Sequence, residues 1–166
     1  MQFLCRDGGT PHVLPCWDLF KDEQYIYLTM PYCSSGELFT HVERHGRFEE
    51  GIGRFWFRQL LAALFHLQKY GVSHRDISLE NILVDKNTEA LVIDLGMCIR
   101  LPYNSSDGSN ELCNSFDGSL RKMVYPAGQC GKPNYISPEI LRNEEPFDGF
   151  AVDLWSAGIG EWMKHP

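Results

Sequence analysis

The fold of this chain is decided by the stretch His74-Arg75-Asp76-Ile77-Ser78-Leu79-Glu80-Asn81, which is followed at residues 94–96 by Asp-Leu-Gly. Between the two motifs, residues 82–93 form two apolar runs around a polar turn, a pattern that predicts an antiparallel hairpin. Paired strands lie about 4.8 Å apart, so a hairpin returns its last residue beside its first. We therefore expect Asn81 and Asp94 to emerge together at the open end of this hairpin.

Asp76 lies a few residues upstream of the same end, so that one amide and two carboxylates share a small space. Oxygen ligands of this kind suit a hard divalent cation such as Mg²⁺, which is usually held by one or two protein groups plus substrate phosphates. The spare carboxylate, Asp76, can then orient a hydroxyl and accept its proton as the hydroxyl attacks a phosphoryl group.

The two motifs resemble the catalytic loop (H-R-D-x-x-x-x-N) and the metal-binding D-F-G of the eukaryotic protein kinases, with Leu95 in place of the phenylalanine. The resemblance implies transfer of the γ-phosphoryl group of ATP to a protein hydroxyl. Asp76 would be the base, Asn81 and Asp94 the Mg²⁺ ligands, and Leu83 the floor under the adenine. It also implies an α+β fold, with a remnant small-lobe hairpin and a mostly helical large lobe.

An upstream segment, residues 25–39, is similar to the fifth strand, the hinge and the start of the next helix in that family. By this resemblance Met30 lies at the back of the nucleotide pocket, and the Pro31 carbonyl and the Cys33 N–H bond the adenine edge. Proline keeps its carbonyl, so Pro31 permits its bond. Glu37 would meet the ribose or a basic substrate residue. Taken alone, the segment also fits a half-buried edge strand and loop.

Local patterns predict the elements of the first half of the chain. Two strands are expected at about residues 14–20 and 25–30, joined by a charged turn. Ser35-Gly36 before residues 37–44 predict a short capped helix with an acidic first turn.

A long amphipathic helix is predicted at residues 49–70, because apolar residues recur there at steps of three and four. Gly71 is expected to end it. The aromatic cluster at residues 55–57 is interpreted as core packing, since no basic patch accompanies it.

The stretch 94–139 resembles a kinase activation segment lengthened by an insertion. Its Ser, Asn, Asp and Gly content predicts a mobile loop at residues 102–122. Its end, residues 130–139, is similar to the substrate-binding loop C-G-T-P-x-Y-x-A-P-E, with Lys132 in place of Thr and Ser137 in place of Ala.

Ser78 and Lys132 occupy positions where the family pattern is exchanged. Serine/threonine kinases usually have a lysine two residues after the catalytic aspartate and a threonine after the Cys-Gly, and these two side chains meet. We expect Lys132 to reach back, to bond Ser78 and Asp76, and to supply the charge of the missing lysine. The alternative is two independent losses in a decaying kinase.

Arg75 beside Asp76 suggests a switch operated by a phosphate on the activation segment, because a guanidinium binds a dianion well. The usual acceptor position is Gly128, which has no hydroxyl, so Tyr125, Ser119 or Ser115 are the candidates. A solvated loop serine is the alternative interpretation.

The final motif, at residues 153–158, is similar to the D-x-W-S-x-G of the central large-lobe helix, here expected at residues 151–164. In the family this aspartate, here Asp153, braces the catalytic loop.

The resemblance covers nearly the whole chain, but the chain covers only the middle of the family domain. The glycine-rich loop, the strand lysine and the last large-lobe helices are missing. We expect a partial kinase domain at residues 1–166, with 1–31 as the end of the small lobe and 32–166 as a truncated large lobe. The chain is then a fragment of the full enzyme. The alternative is a catalytically inactive pseudokinase or remnant that binds other proteins.

Composition limits which cellular compartment and which classes of partner are expected. A net charge of -7 and a pI near 5.3 argue against nucleic acid or an anionic membrane as the main partner. No apolar run approaches the roughly 20 residues of a membrane span. The 6 cysteines are scattered without a C-x-x-C pair, which favours reduced thiols in a cytoplasmic or nuclear protein. A protein substrate is implied, and the oligomeric state stays open.

Overall fold

The computed structural model describes Leu4 and residues 12–46, 48–101 and 123–162, with side chains through residue 159. It divides into two compact units, the first formed by Met1–Ala63 and Leu79–Ile93 and the second by Leu64–Ser78 and Asp94–Pro166. The loop predicted at residues 102–122, with Ser115 and Ser119, lies outside the described residues.

Short antiparallel strand pairs and helices give the described part of the chain an α+β fold, as predicted. In chain order the elements are β1 (Asp18–Lys21), β2 (Ile26–Thr29), α1 (Leu38–His45), α2 (Glu50–Lys69), β3 (Val72–Ser73), β4 (Ile82–Val84), β5 (Ala90–Val92), β6 (Ile99–Arg100), α3 (Pro138–Arg142) and α4 (Gly149–Trp162). Single 3-10 turns occur at Leu79–Asn81 and Leu95–Met97. None of these described helices is both long enough and apolar enough to cross a membrane.

In the first unit, β1 and β2 form the predicted antiparallel hairpin, with Asp18 opposite Thr29. The first strand is shorter than expected, because the residues before it pair elsewhere. Val13 forms a parallel bridge with Val92, and the Leu14 N–H donates to the Val92 carbonyl at 2.9 Å. Both strands of the hairpin are largely exposed.

Helix α1 begins one residue later than predicted, and its predicted cap is wrong. Its N-cap is Glu37, which makes no side-chain cap bond, and its first turn holds no acidic residue. The backbone of Glu37 is extended and bridges Leu83, which delays the helix. The Ser35 hydroxyl donates to the Asp85 carbonyl at 3.2 Å instead of capping.

The predicted hairpin after the catalytic loop is confirmed as β4 and β5, with Ile82 opposite Val92. Val84 and Ala90 are buried at its turn end. The side-chain carbonyl of Gln59 on α2 accepts the Ala90 N–H at 2.7 Å, which satisfies a buried donor of β5.

Helix α2 matches its prediction to within one residue at each end, and Gly71, at φ +65°, follows it. The core interpretation of the aromatic cluster holds only in part. Trp56 is buried and its ring lies 5.9 Å from that of Phe48, whereas Phe55 is exposed. Successive helical residues point about 100° apart, so one apolar face cannot bury neighbours equally.

In the second unit, β3 pairs antiparallel with β6, which places Val72 opposite Arg100. The Leu101 N–H continues this contact by donating to the Gly71 carbonyl at 2.6 Å. A core cluster of Ile140, Phe147 and Val152 lies around α3 and the start of α4. Helix α4 begins two residues before its predicted start.

Candidate functional site

The predicted catalytic loop is held by the carboxylate of Asp153, as the family resemblance implies. The His74 N–H donates to Asp153 Oδ2 and the Arg75 N–H donates to Oδ1, both at 2.7 Å. Asp153 is only 3 % exposed, and this burial raises its pKa to about 6, against the opposing effect of bonds from Arg75, His74 and Ser73. The loop backbone is therefore fixed from within the second unit.

Arg75 turns the chain at φ +66°, and its side chain reaches Cys130 in the predicted activation segment. Its Nε and Nη2 donate to Cys130 Sγ at 3.0 and 2.7 Å, and the residue is 9 % exposed. The phosphate-binding role suggested for this guanidinium stays a prediction. Tyr125, one of the candidate acceptors, is 79 % exposed.

Gly131 brings the predicted activation segment close to the predicted base. A Cβ on Gly131 would lie 3.1 Å from the Arg75 carbonyl oxygen and 3.9 Å from Asp76 Oδ1, and Gly131 has φ +93°. Asp76 itself is half-buried, and its N–H donates to His74 Nδ1 at 3.2 Å. A larger residue at position 131 would meet both backbone strain and a tight contact.

The predicted contact between Lys132 and Ser78 is confirmed. Lys132 Nζ donates to Ser78 Oγ at 2.7 Å, and Ser78 is 1 % exposed. The lysine backbone is fixed by a turn, since its carbonyl accepts the N–H groups of Tyr135 at 2.8 Å and Ile136 at 3.2 Å. The further bond expected between Lys132 and Asp76 stays a prediction.

Asp94 occupies the left-handed region, at φ 61° and ψ 73°, and its Oδ1 accepts the Gly96 N–H at 3.1 Å. A Cβ on Gly96 would lie 2.9 Å from that oxygen, so glycine keeps room for the carboxylate. The strained backbone and the exposed side chain suit a residue kept for a ligand.

Asn81 is buried in the first unit, at the end of the 3-10 turn before β4. Its carbonyl accepts the N–H of Ile93 at 2.9 Å, and Ile93 directly precedes Asp94, as the predicted hairpin requires. Because Asp94 belongs to the second unit, a shared metal site of these two residues stays a prediction. The side-chain amide oxygen of Asn81 and the carboxylate oxygens of Asp94 are ligands that suit Mg²⁺. Within the described residues, no group of three or more His, Cys, Asp or Glu side chains could hold a metal ion.

The predicted nucleotide residues lie in the first unit. Glu37 and Leu83 are brought together by a backbone bridge, and the Val84 N–H donates to the Gly36 carbonyl at 2.9 Å. Cys33 is buried, and burial, followed by the charge of Asp85, raises the pKa of its thiol.

Met30 and Pro31 are half-buried in the segment that leads to Cys33. The roles of all these first-unit residues toward adenine and ribose stay predictions.

A model of the protein kinase domain matches residues 3–162 of the chain. The chain belongs to the protein kinase family. It is 32% identical over 149 residues to the serine/threonine-protein kinase kin-29 of Caenorhabditis briggsae, a match that covers 90% of this chain and 16% of that protein. It is 33% identical to the CBL-interacting serine/threonine-protein kinase 16 of Arabidopsis thaliana, covering 90% of this chain and 30% of that protein.

Both relatives are serine/threonine kinases, and the chain spans less than a third of the length of either one. Protein kinases in general use ATP and Mg²⁺ and act on protein substrates. The predicted family and α+β kinase fold are thereby confirmed.

Two residues beside the predicted site were not identified from the sequence. Ser73 is fully buried, and its hydroxyl donates to the Gly149 carbonyl at 2.9 Å. A Cβ on Gly149 would lie 2.8 Å from Ser73 Cβ, so glycine is required there. Cys130 lies within the motif at residues 130–139, but no local pattern signals that its sulfur meets Arg75.

Proposed function

We propose that this chain carries the catalytic region of a protein serine/threonine kinase, which transfers the γ-phosphoryl group of ATP to a protein hydroxyl. The observation that carries the proposal is the fixed catalytic loop, in which buried Asp153 binds the two N–H groups directly before Asp76. A general base is effective only when its position is fixed, and the two bonds to Asp153 fix the backbone directly before Asp76.

Asp76 would act as the base of the reaction. It would accept a hydrogen bond from the substrate hydroxyl, orient the oxygen toward the γ-phosphorus and take the proton as the new P–O bond forms and the bond to the ADP oxygen breaks. Asn81 and Asp94 would hold Mg²⁺, which when bound neutralises charge on the phosphates.

The nucleotide would be held by the first unit. The proposed contacts are the Pro31 carbonyl and the Cys33 N–H at the adenine edge, Met30 behind it, Leu83 below it and Glu37 at the ribose. The backbone bridge between Glu37 and Leu83 supports this arrangement, because it fixes two of the proposed contacts to each other.

A cytoplasmic or nuclear location is part of the proposal. It is supported by the four cysteines of the described residues, Cys16, Cys33, Cys98 and Cys130, all of which are free thiols. The partner would be a protein substrate rather than nucleic acid, in keeping with the net charge of -7.

A second candidate function is a binding module without catalysis. It is favoured by the exposed apolar surface of the first hairpin and of the residues on either side of it. Trp17, Ile26 and Tyr32 are 68%, 68% and 92% exposed. Large exposed apolar patches often mark sites of protein interaction.

Thermal unfolding with nucleotide tests nucleotide binding directly. ATP with Mg²⁺ at about 100 times its dissociation constant should stabilise the chain by about 2.7 kcal/mol. Asp94→Asn should weaken the Mg²⁺-dependent part of this effect. Lys86→Thr, a change in the exposed β4–β5 turn, is the matched control and should leave it unchanged.

Phosphotransfer is then measured with this chain, joined to whatever sequence flanks it in its natural gene product. Asp76→Asn should lower kcat by about 10²- to 10⁴-fold while the nucleotide-dependent stabilisation persists. Absence of both nucleotide stabilisation and phosphotransfer in the unmutated protein would favour the binding module instead.

A further inference from the structure

The ammonium group of Lys132 lies against the catalytic loop although the residue belongs to the activation segment. Its Nζ donates at 2.7 Å to the hydroxyl of Ser78, two residues beyond the proposed base Asp76. Ser78 is fully buried and Lys132 is half-buried, so water competes little for this contact. A half-buried cation so near a proposed phosphoryl-transfer base calls for a functional explanation.

Residues 130–132 are fixed against the loop by further contacts of the second unit. The Arg75 guanidinium donates two N–H groups to Cys130 Sγ, and Gly131 approaches the Arg75 carbonyl so closely that a Cβ would be 3.1 Å from it. The Lys132 carbonyl accepts the Tyr135 N–H at 2.8 Å. The lysine is thus anchored on both sides, and we name the contact of Arg75 with Cys130 the segment anchor.

We propose that Lys132 is a catalytic residue, which carries positive charge from the activation segment to the phosphoryl group in transit. The proposal rests on the proposed kinase function. Phosphoryl transfer is accelerated mainly by positioning and by fixed positive charge, since little covalent chemistry is left for the protein. An ammonium has three N–H donors, and Ser78 takes one of them, which orients the group.

Ser78 and the two residues of the segment anchor, Arg75 and Cys130, are positioning residues in this proposal. Because the charge is carried by the activation segment, catalysis depends on whether residues 130–132 pack against the catalytic loop. The segment anchor holds them there through the contact of the Cys130 sulfur with Arg75. Loss of the anchor should therefore lower kcat through Lys132 alone and leave nucleotide affinity unchanged.

The first arm of the test compares Lys132 variants in the natural gene product that contains this chain. Lys132→Thr should lower kcat by about 10²- to 10³-fold, with the KM for ATP and the unfolding midpoint within about twofold and 2 °C of the unmutated values. Lys132→Arg, which keeps the charge, should recover most of the rate. Lys86→Thr removes an exposed cation from a turn and should have no effect.

The second arm restores the family arrangement. Ser78→Lys combined with Lys132→Thr should regain much of the activity that Lys132→Thr loses. Additive losses in the double variant, or an unchanged kcat in Lys132→Thr, would overturn the proposal while leaving the kinase function in place. An unmutated protein without phosphotransfer would instead overturn the kinase function, and the catalytic role of Lys132 with it.

The third arm tests the segment anchor with a double-mutant cycle. Cys130→Ala should lower kcat by about tenfold, and Cys130→Ser, which keeps an acceptor for Arg75, should restore it. In a Lys132→Thr background, Cys130→Ala should cost almost nothing more, because the group it seats is absent. An equal loss in both backgrounds would show that Cys130 does not act through Lys132.

Discussion

Asp153 and Asp22 make similar hydrogen bonds in opposite surroundings. Asp153 accepts two backbone N–H groups of the catalytic loop, and Asp22 accepts the N–H groups of Gln24 and Tyr25 in the turn of the β1–β2 hairpin, all at 2.7 Å. Burial raises the pKa of Asp153 to about 6. The backbone bond from Gln24, then the bonds from the Tyr27 hydroxyl and the Tyr25 N–H, lower the pKa of exposed Asp22.

Removal from water, rather than the number of bonds, separates these two carboxylates. Around Asp153 a deleted group leaves buried donors without a partner, whereas around Asp22 water replaces what is lost. The catalytic loop is accordingly the place where single substitutions have large effects, and the exposed hairpin is the place where they have small ones.

The largest effect is expected from Asp153→Ala. It leaves the buried N–H groups of His74 and Arg75 without their acceptor, at about 1 to 3 kcal/mol each, so the free energy of unfolding should fall by about 2 to 6 kcal/mol. Urea unfolding measures this, and hydrogen exchange at the two amides should accelerate.

Asp22→Ala is the matched control, because it also removes a carboxylate that accepts two backbone N–H groups, but from an exposed turn. Its urea midpoint should fall far less than that of Asp153→Ala, since water takes over the exposed donors. Equal losses in the two variants would show that burial does not distinguish them.

The pH dependence should also differ in sign between the two carboxylates. The folded-state pKa of Asp153 is raised, so its contribution to stability is fully present below pH 3.8 and is lost as the pH rises through about 6. This rise corresponds to about 3 kcal/mol. The difference in unfolding free energy between Asp153→Asn and the unmutated chain should change by most of that amount between pH 4 and 7.

Asp22, whose pKa is lowered, contributes stability above pH 3.8, and that contribution is lost as the pH falls through its folded-state pKa. The same comparison with Asp22→Asn should therefore change only in acid, in the opposite direction. A difference for Asp153→Asn that stays constant from pH 4 to 7 would contradict the effect of burial.

Local sequence patterns predict the elements around the site well. The register of β4 and β5 follows from two apolar runs and a polar turn, and the ends of α2 follow from its periodicity and Gly71. The contact between Lys132 and Ser78 could be predicted because two departures from one family pattern compensate each other. Each of these inferences needs only residues close in sequence or a known pairing.

The remaining features depend on tertiary placement. Cys130 meets a guanidinium 55 positions away, and nothing near either residue encodes that distance. Whether Phe55 or Trp56 is buried depends on what packs against α2, and the start of α1 depends on the bridge from Glu37 to Leu83. The raised pKa of Asp153 likewise follows from burial, which a sequence motif does not specify.

A smaller effect is expected at the glycine that lies against the catalytic loop. Gly131 and Gly128 have nearly the same positive φ, +93° and +90°, so alanine costs about 1 to 2 kcal/mol of strain at either position. Only Gly131 adds a contact, 3.1 Å from the Arg75 carbonyl, so Gly131→Ala should destabilise by about 1 kcal/mol more than Gly128→Ala. Urea unfolding of both variants checks this. Equal losses of unfolding free energy would mean that the backbone around residue 131 moves to relieve the contact at no cost.

The smallest effect is expected from Tyr27→Phe in the exposed hairpin. The Tyr27 hydroxyl donates to Asp22 Oδ2 at 2.8 Å, which lowers the pKa of Asp22 and raises that of Tyr27. Its removal should move the pKa of Asp22 up toward 3.8 in an NMR titration, without a measurable change in the urea midpoint. An exposed bond of this kind shifts a pKa slightly and contributes too little stability for an unfolding midpoint to detect, because water replaces the hydroxyl. A clearly lower urea midpoint for Tyr27→Phe would mean that the exposed hairpin is as sensitive to substitution as the catalytic loop. Burial would then no longer explain the difference between the two aspartates.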